Sequence, residues 1–472
     1  MSARSRVAAL RSETELGEEA VAELVGEMTS FLDPFTSSLV RREQRAHVVR
    51  YFRGRFRNLP RRTIEPIANS SGIPADNLRK FISSGTWDDA PIRTKMVRDV
   101  SRTLGRENGV LVVDGSGFPK KGTESVGVQR QYCGRLGKQD NCQVGEFLAY
   151  ASGGSYTLVD GELYLPKQWL TKDKKKQARI PAKNKFLTRW ELADELLQKW
   201  GSKLPHAWVT GDEDYGVPNA FRDRLDKRGE RYLLEVKINT RLWRSDINGQ
   251  VRGELTKVEQ VAKSSKLVWK RFHVRDGEKE PLEVEATRIW VVTPREKEKG
   301  KPPPKLRVES LLLVRKVDGS KSWQFLSNAE KGTRLSEMVR GAGCRHAVEE
   351  VLELAKGDVG LDEYELRSYV GWHHHLTLTL LALWFTVQHH QVLEKKHQRS
   401  PFLSSDGLWL WCWTVVPAPT RPSPGRSPAS SGGTKRAARH IGAATGESRH
   451  PPRSAESRGA RIASARNDEL PQ

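Results

Sequence analysis

The stretch VLVVD, residues 110–114, decides the fold, because it is a continuous apolar run that ends directly in an aspartate. An apolar run of this length is typical of a strand that is buried on both faces of a sheet. A second run, HAWVTGD at 206–212, also ends in an aspartate. We therefore expect Asp114 and Asp212 at the carboxyl ends of two central strands.

The segments between these two runs indicate their arrangement. Three more strand-like runs follow the first aspartate: VGVQRQYC (126–133), QVGEFLAYAS (143–152) and YTLVDGELYLP (156–166). The Asp160-Gly161 pair in the last run predicts a hairpin turn. A helical pattern at 188–200, with Thr188 as its N-cap, precedes the second aspartate strand. Antiparallel strands, a helix and a further strand match the opening of an RNase H-like fold, in which the first and fourth strands are parallel neighbours.

The remainder of the chain divides by its composition. We expect a helical DNA-binding domain at 1–104 and the first part of the core at 105–230. A β-rich insertion at 231–330, the last core helices at 331–392 and a basic tail at 393–472 should follow. The tail is rich in Pro, Ser and Arg and has too few apolar residues to fold. Its abrupt start also leaves a frameshift in the coding sequence open. The expected fold class is α/β: an RNase H-like mixed sheet flanked by helices, with a β-rich insertion, an α-helical N-terminal domain and a disordered C-terminal tail.

The composition favours a polyanionic partner. The 472 residues include 80 Lys and Arg against 58 Asp and Glu, a net charge of +22, which points to nucleic acid. A basic tail on a neutral enzyme is the alternative. Four cysteines without a CxxC pair indicate reduced thiols and no zinc site. We expect no signal peptide and no membrane span, since the most apolar run, at 376–387, is too short to cross a bilayer.

The N-terminal domain contains a candidate helix-turn-helix at 63–85, TIEPIANSSGIPADNLRKFISSG. Gly72 suits the turn, and Leu78 would bury the second helix against the first. Arg79 and Lys80 would then lie on or beside the helix that is offered to DNA. An ordinary helical hairpin without a DNA contact is the alternative.

A late helical segment, RHAVEEVLELAK at 345–356, carries a stripe of three charged residues. At about 100° per residue, Arg345, Glu349 and Lys356 project within roughly 40° of one another. A carboxylate between two cations could hold a metal ion and bind adjacent phosphates. The alternative is a solvated face with a common Arg–Glu ion pair.

Three ordered blocks of the sequence, at 114–152, 208–216 and 345–385, resemble the aspartate and glutamate blocks of DDE-type insertion-sequence transposases. Those enzymes have an RNase H-like catalytic core interrupted by a β-strand insertion. The similarity runs from about residue 30 to 390. Two features depart from the family: Ala342 stands where a tyrosine is expected, and the tail after about residue 400 does not look like the family.

The resemblance implies a catalytic triad of Asp114, Asp212 and Glu349, with Asp214 as the alternative to Asp212. Phosphoryl transfer by the two-metal route needs three or more converging carboxylates, and oxygen ligands suit Mg²⁺. The three residues are therefore expected to bind two Mg²⁺ ions per active site, with Mn²⁺ as a substitute.

The resemblance also implies the partners of the chain. We expect Arg345 and Lys356 to position phosphate, and Lys120 and Lys121 to contact DNA from the loop after the first aspartate strand. The expected function is a DNA transposase that binds insertion-sequence ends and catalyses strand cleavage and strand transfer. Its partners would be double-stranded DNA, as terminal inverted repeats and target DNA, and a second copy of the chain on that DNA. The expected location is the bacterial cytoplasm, at the nucleoid.

Two other functions fit parts of the sequence. A catalytically decayed transposase that only binds DNA would fit the unusual tail, although the triad is intact. A glycoside hydrolase could use Asp114 and Asp212 as acid and base. That function leaves the net charge of +22 and the stripe of Arg345, Glu349 and Lys356 without a role.

Overall fold

The computed structural model describes residues 18–274, 282–294 and 306–397 of the chain. The tail, residues 393–472, was expected to be disordered, and almost all of it lies outside the described residues. Cys412 also lies outside them. The other three cysteines, Cys133, Cys142 and Cys344, are free thiols, as the absence of paired motifs indicated.

Helices fill the described N-terminal part. They are α1 (Glu18–Thr36), α2 (Arg42–Arg55), α3 (Ile64–Ser70), α4 (Ala75–Arg79) and α5 (Ala90–Leu104). A single π-helical turn, Lys80–Ser84, extends α4. Helices α3 and α4 lie within the candidate helix-turn-helix: Gly72 between them has φ of +66°, and Leu78 is fully buried. Arg79 and Lys80 are exposed.

The core sheet begins with β1 (Val110–Pro119), β2 (Gln129–Cys133), β3 (Lys138–Ser152) and β4 (Ser155–Leu163). Two short helices follow, α6 (Lys172–Gln177) and α7 (Arg189–Trp200), before β5 (Trp208–Gly211). Then come α8 (Glu213–Gly216), α9 (Asn219–Lys227) and β6 (Tyr232–Glu235). Thr188 and Glu191 form a capping box at the start of α7, which confirms the predicted N-cap.

These strands pair in the order expected of an RNase H-like core. Strand β1 lies between β3, to which it is antiparallel, and β5, to which it is parallel. Strand β6 extends the sheet parallel to β5, and β4 pairs with the other side of β3. The predicted mixed α/β fold is confirmed, with two helix-covered parallel neighbours at its centre.

The predicted hairpin turn at Asp160-Gly161 is wrong. Both residues lie inside β4, and the chain reverses at Gly153 and Gly154, whose φ angles are +60° and +87°. The Asp160 carboxylate is fully buried and binds Arg93, Lys199 and the indole of Trp200. An Asp-Gly pair adopts a turn only where the chain exposes it, and here the side chain has cationic partners inside the protein.

The β-rich region after the core continues the same sheet. Its elements are β7 (Arg241–Ser245), β8 (Val251–Lys257), α10 (Val258–Ala262), β9 (Lys270–Val274), β10 (Leu282–Val292), β11 (Val308–Lys316) and β12 (Ser322–Ser327). Strand β12 pairs antiparallel with β6, and β11, β10, β7 and β8 follow in that order. The region therefore adds strands to the edge of the core at β6.

The last helices are α11 (Leu335–Gly343), α12 (His346–Gly357) and α13 (Tyr369–His397). The apolar run at 376–387 forms the middle of α13 and is buried against the sheet and the N-terminal helices. His374 joins α13 to the N-terminal part, with its ring nitrogens 2.9 Å and 3.0 Å from the carbonyl oxygens of Ile82 and Trp87. Of the helices in the described ranges, none has the length and apolarity needed to cross a bilayer.

Candidate active site

Asp114 and Asp212 lie side by side at the centre of the sheet. The last register pair of the parallel strands β1 and β5 is Val113 with Gly211. Asp114 is the next residue of β1, which continues to Pro119 beside β3, and Asp212 is the first residue after β5. Adjacent parallel strands that end in register place the following side chains at one edge. Both aspartates are half-buried there, and the apolar residues that precede them are buried, as the two apolar runs predicted.

Burial and a neighbouring carboxylate raise the pKa of each aspartate. Burial and the charge of Asp212 raise the pKa of Asp114 to about 8. Burial and the charge of Asp214 raise the pKa of Asp212 to about 6. Two like charges in a partly desolvated site favour the protonated form of at least one of them. A divalent cation between the two groups would remove this repulsion, so the oxygen donors fit such an ion.

The turn after Asp212 has the sequence Asp-x-x-Tyr-Gly, residues 212–216, and its contacts explain this pattern. Asp212 caps α8, and its Oδ1 accepts a hydrogen bond of 2.9 Å from the Asp214 backbone nitrogen. Tyr215 is fully buried and donates its hydroxyl hydrogen to Glu146. A Cβ atom at Gly216 would lie 1.8 Å from the backbone oxygen of Glu235, so only glycine fits there. The three residues thus hold the turn against β3 and β6.

A buried ion pair lies next to the aspartates. Glu146 on β3 stands opposite Gly115 and is fully buried, and its carboxylate binds the Arg189 guanidinium at the start of α7. Arg189 Nη1 also lies 2.7 Å from Asp214 Oδ2. Burial raises the pKa of Glu146, although Arg189 opposes the rise. Since Asp214 is exposed and bound to Arg189, Asp212 is the residue whose charge acts on Asp114.

Arg345 connects the aspartates to the late helix. Its Nε atom lies 2.7 Å from Glu235 Oε2, and its Nη1 atom lies 2.6 Å from Glu349 Oε1. Its positive charge lowers the pKa of both Asp114 and Asp212. Glu235 ends β6, the third parallel strand of the core, so Asp114 within β1, Asp212 after β5 and Glu235 all interact with this one guanidinium.

Glu349 is not joined to the two aspartates in this structure. Its carboxylate lies against Arg345 and 3.6 Å from His346 Nδ1, and these two neighbours lower its pKa to about 2. Throughout the described ranges, no three His, Cys, Asp or Glu side chains lie close enough together to hold a metal ion. The structure therefore brings Asp114 and Asp212 together, and it leaves Glu349 on the other side of Arg345.

The cations expected at the DNA differ in their surroundings. Lys356 is half-buried, and its Nζ atom lies 5.9 Å from the centre of the Phe118 ring. Lys120 Nζ lies 3.5 Å from the centre of the Tyr364 ring and donates a 3.0 Å hydrogen bond to the Tyr364 carbonyl oxygen. Lys120 is therefore engaged inside the protein, whereas Lys121 is exposed.

The sequence analysis missed Glu146, Arg189 and Glu235. A signal existed for each carboxylate. Glu146 interrupts the apolar run of β3, and a charged residue within a buried strand needs a partner. Glu235 ends the run YLLE, as Asp114 ends VLVV. For Arg189 no local pattern exists, because its partners lie 43 and 25 residues away along the chain.

The known proteins that are similar to this chain include two transposases. The chain is 28% identical over 189 residues to the "Probable transposase for insertion sequence element IS701" of Microchaete diplosiphon, which is 39% of this chain and 47% of that protein. It thus spans about half the length of that relative. A cryo-EM structure of the piggyBac transposase synaptic complex with hairpin DNA covers 86% of this chain and 84% of its own, with 11% identity and a TM-score of 0.30.

A family model also matches this chain. The model for DDE superfamily endonucleases matches residues 34–281, which is more than half of the chain and includes Asp114 and Asp212. The resemblance that the three sequence blocks indicated is confirmed. With an RNase H-like strand order and two aspartates where the parallel pairing of two adjacent central strands ends, the chain belongs to the DDE superfamily of endonucleases.

Proposed function

We propose that the chain is a DNA transposase that binds insertion-sequence ends and catalyses strand cleavage and strand transfer. The observation that carries the proposal is the position of Asp114 and Asp212 directly after Val113 and Gly211, the last register pair of β1 and β5. Two carboxyl groups with raised pKa values at one edge of a sheet are typical of a site that acts on a substrate. The relative in Microchaete diplosiphon is named as a transposase, in agreement with this proposal.

Asp114, Asp212 and Glu349 would hold Mg²⁺ in this site, with Mn²⁺ as a substitute. When bound, a pair of such ions activates the attacking oxygen and stabilises the leaving oxygen of a phosphodiester. The aspartates supply hard oxygen donors from two rigid strands, and loss of their protons is the chain's own contribution to binding. Arg345 favours that loss, because its charge lowers the pKa of both groups.

Glu349 must exchange its partners before it can serve as the third ligand. It now binds Arg345, which also binds Glu235. We propose that Arg345 turns toward DNA phosphate in the complex and releases Glu349 toward the aspartates. Arg345 and Lys356 would then hold phosphate beside the reacting group, as cations do at phosphoryl-transfer sites.

The wider assembly follows from the same proposal. Arg79 and Lys80 on the exposed side of the candidate helix-turn-helix, together with Lys121, would contact DNA outside the active site. Two element ends must be held together for transposition, so we propose a homodimer on double-stranded DNA, on terminal repeats first and on target DNA later. Such a protein would act at the nucleoid of a bacterial cytoplasm.

The test is cleavage of a labelled duplex that carries the element ends, with Mg²⁺ or Mn²⁺. The unmodified chain is compared with Asp114→Asn, Asp212→Asn and Glu349→Gln. Glu353→Gln, one turn further along α12 and exposed, is the matched control for Glu349→Gln. We expect the first three changes to abolish nicking, to leave DNA binding intact and to fold normally, while the control nicks as the unmodified chain does.

Other results would revise the proposal. Loss of nicking in Glu235→Gln, with nicking kept in Glu349→Gln, would assign the third ligand to Glu235. Binding of the element ends without nicking by the unmodified chain would show a decayed transposase that only binds DNA. Absence of both binding and nicking would refute the proposal.

A further inference from the structure

A basic segment outside the predicted DNA contacts lies between β4 and α7. Residues 172–185, KDKKKQARIPAKNK, contain six lysines and one arginine against a single aspartate. We call this range the lysine segment. We propose that the lysine segment is a binding surface for the DNA backbone, along which the duplex that enters the active site runs. This inference rests on the proposed function, because it names the path of that same DNA.

The charges of the segment are available to a partner. Lys172, Lys176, Lys183 and Lys185 are exposed, and none of the four forms an ion pair with a carboxylate in the described part of the chain. Lys172 and Lys176 are four residues apart on α6, so they project from one face of the helix. Cations that lack a protein partner lose little when they bind phosphate, and each one displaces a counterion from DNA.

The segment is held in a fixed shape by its remaining residues. Lys175 Nζ donates hydrogen bonds to the carbonyl oxygens of Ala182 at 2.9 Å and Asn184 at 2.5 Å, which closes the loop after α6. Arg179 has φ of +54°, in the left-handed region that few residues other than glycine adopt. Its Nη1 atom donates a 2.9 Å hydrogen bond to the Ser84 carbonyl oxygen. A surface with this much internal bonding presents its charges in a defined pattern, unlike a solvated tail.

The segment also leads directly to the active site. Lys185 precedes Arg189 by four residues, so their Cα atoms are at most about 14 Å apart. Arg189 binds Glu146 and Asp214 beside the catalytic aspartates. Phosphates follow one another every few ångströms along a duplex, so DNA with a phosphate at the aspartates has others within reach of this segment.

The test measures how salt changes DNA binding. The quadruple variant Lys172→Gln, Lys176→Gln, Lys183→Gln, Lys185→Gln is compared with a control that loses four exposed lysines at scattered places: Lys227→Gln, Lys266→Gln, Lys270→Gln, Lys331→Gln. Both lose the same charge. Binding to a duplex is measured in a chelator at several salt concentrations. We expect the magnitude of the slope of log affinity against log salt to fall by about 3.6 in the segment variant, since each of the four phosphate contacts contributes about 0.9. The control should change it by less than about 1.

A second measurement does not depend on the variants. Lysine acetylation of the unmodified chain, with and without duplex, should show protection of Lys172, Lys176, Lys183 and Lys185 by DNA. One result would refute the binding surface but not the proposed function. In that case the unmodified chain nicks element ends, both variants have its slope of log affinity against log salt, and DNA protects none of the four lysines. A chain that binds no duplex overturns both the surface and the proposed function.

Discussion

Asp114 and Asp212 each follow the last residue at which the adjacent parallel strands β1 and β5 pair, so their carboxylates meet where that pairing ends. Because neither strand can shift its register without exposing a buried face, the two groups are held together even though their charges repel. Their ionisation is therefore linked to the stability of the fold.

This linkage predicts how stability depends on pH. The pKa of Asp114 is raised to about 8 in the folded chain, above the value of about 3.9 for an unfolded aspartate. The folded form then holds a proton that the unfolded form releases, so this group's contribution to stability falls as pH rises from about 4 to about 8. Asp114→Asn should remove this decrease in stability between pH 4 and pH 8, and it should raise the melting temperature at pH 8 by about 2 °C or more.

The measurement is thermal unfolding at pH 5 and pH 8 in a chelator. The Asn variant should gain more at pH 8 than at pH 5. Exposed Asp173→Asn is the control and should show no such difference. An equal gain at both pH values would contradict a raised pKa for Asp114.

Arg345 should set the pH range of activity. Its charge lowers the pKa of Asp114 and Asp212, so Arg345→Gln should raise both values further. The rise of metal-dependent nicking with pH should then move upward by about one pH unit. Arg345→Lys keeps the positive charge and should therefore show a smaller shift. The exposed control Arg340→Gln should leave the pH dependence of nicking unchanged. A lower rate with an unmoved profile would limit Arg345 to binding phosphate.

The pair of Glu146 and Arg189 should stabilise the core. Arg189→Met leaves the fully buried Glu146 carboxylate without its cation, and removal of one member of a buried pair costs about 3–5 kcal/mol. Because a third of the Arg189 side chain is exposed, water reduces this cost, and we expect a loss of about 2 kcal/mol in the free energy of unfolding. Urea unfolding measures it.

A double change is the control for that pair. In Arg189→Met with Glu146→Gln no charge remains buried, and Tyr215 can still donate its hydrogen to the amide oxygen. The double variant should therefore be more stable than Arg189→Met alone. If the two variants unfold at the same urea concentration, the unpaired charge of Glu146 is not the cause of the lost stability.

The glycine of the Asp-x-x-Tyr-Gly turn should resist substitution. A Cβ at Gly216 would lie 1.8 Å from the Glu235 backbone oxygen, so α8 and β6 must separate. Gly216→Ala should lower the free energy of unfolding by about 3 kcal/mol and weaken nicking, because Asp212 caps the displaced turn. Gly122→Ala, with no atom within 4 Å of its new Cβ, should do neither. A Gly216→Ala protein with unchanged stability and nicking would show that the turn can move freely.

The sequence alone determined the central strands, the position of Asp212 directly after β5, and the N-cap of α7. Each of these depends on a local pattern: an apolar run reports burial on both faces, and capping needs residues three apart. The expected strand end at Asp114 is wrong, because β1 continues to Pro119 along β3. The order of the elements then allowed the parallel pairing of β1 and β5 to be predicted. Family resemblance, in addition, singled out Glu349.

Only the tertiary structure decided which distant side chains became partners. It placed the turn at Gly153 and Gly154, and it kept Asp160 within β4, where Arg93 and Lys199 bind the carboxylate. It extended the core sheet by the strands that follow β6, and it joined Arg345 to Glu235. Such contacts link residues far apart in the sequence. A buried charge takes whichever opposite charge the packing brings near it, and no local pattern records that choice.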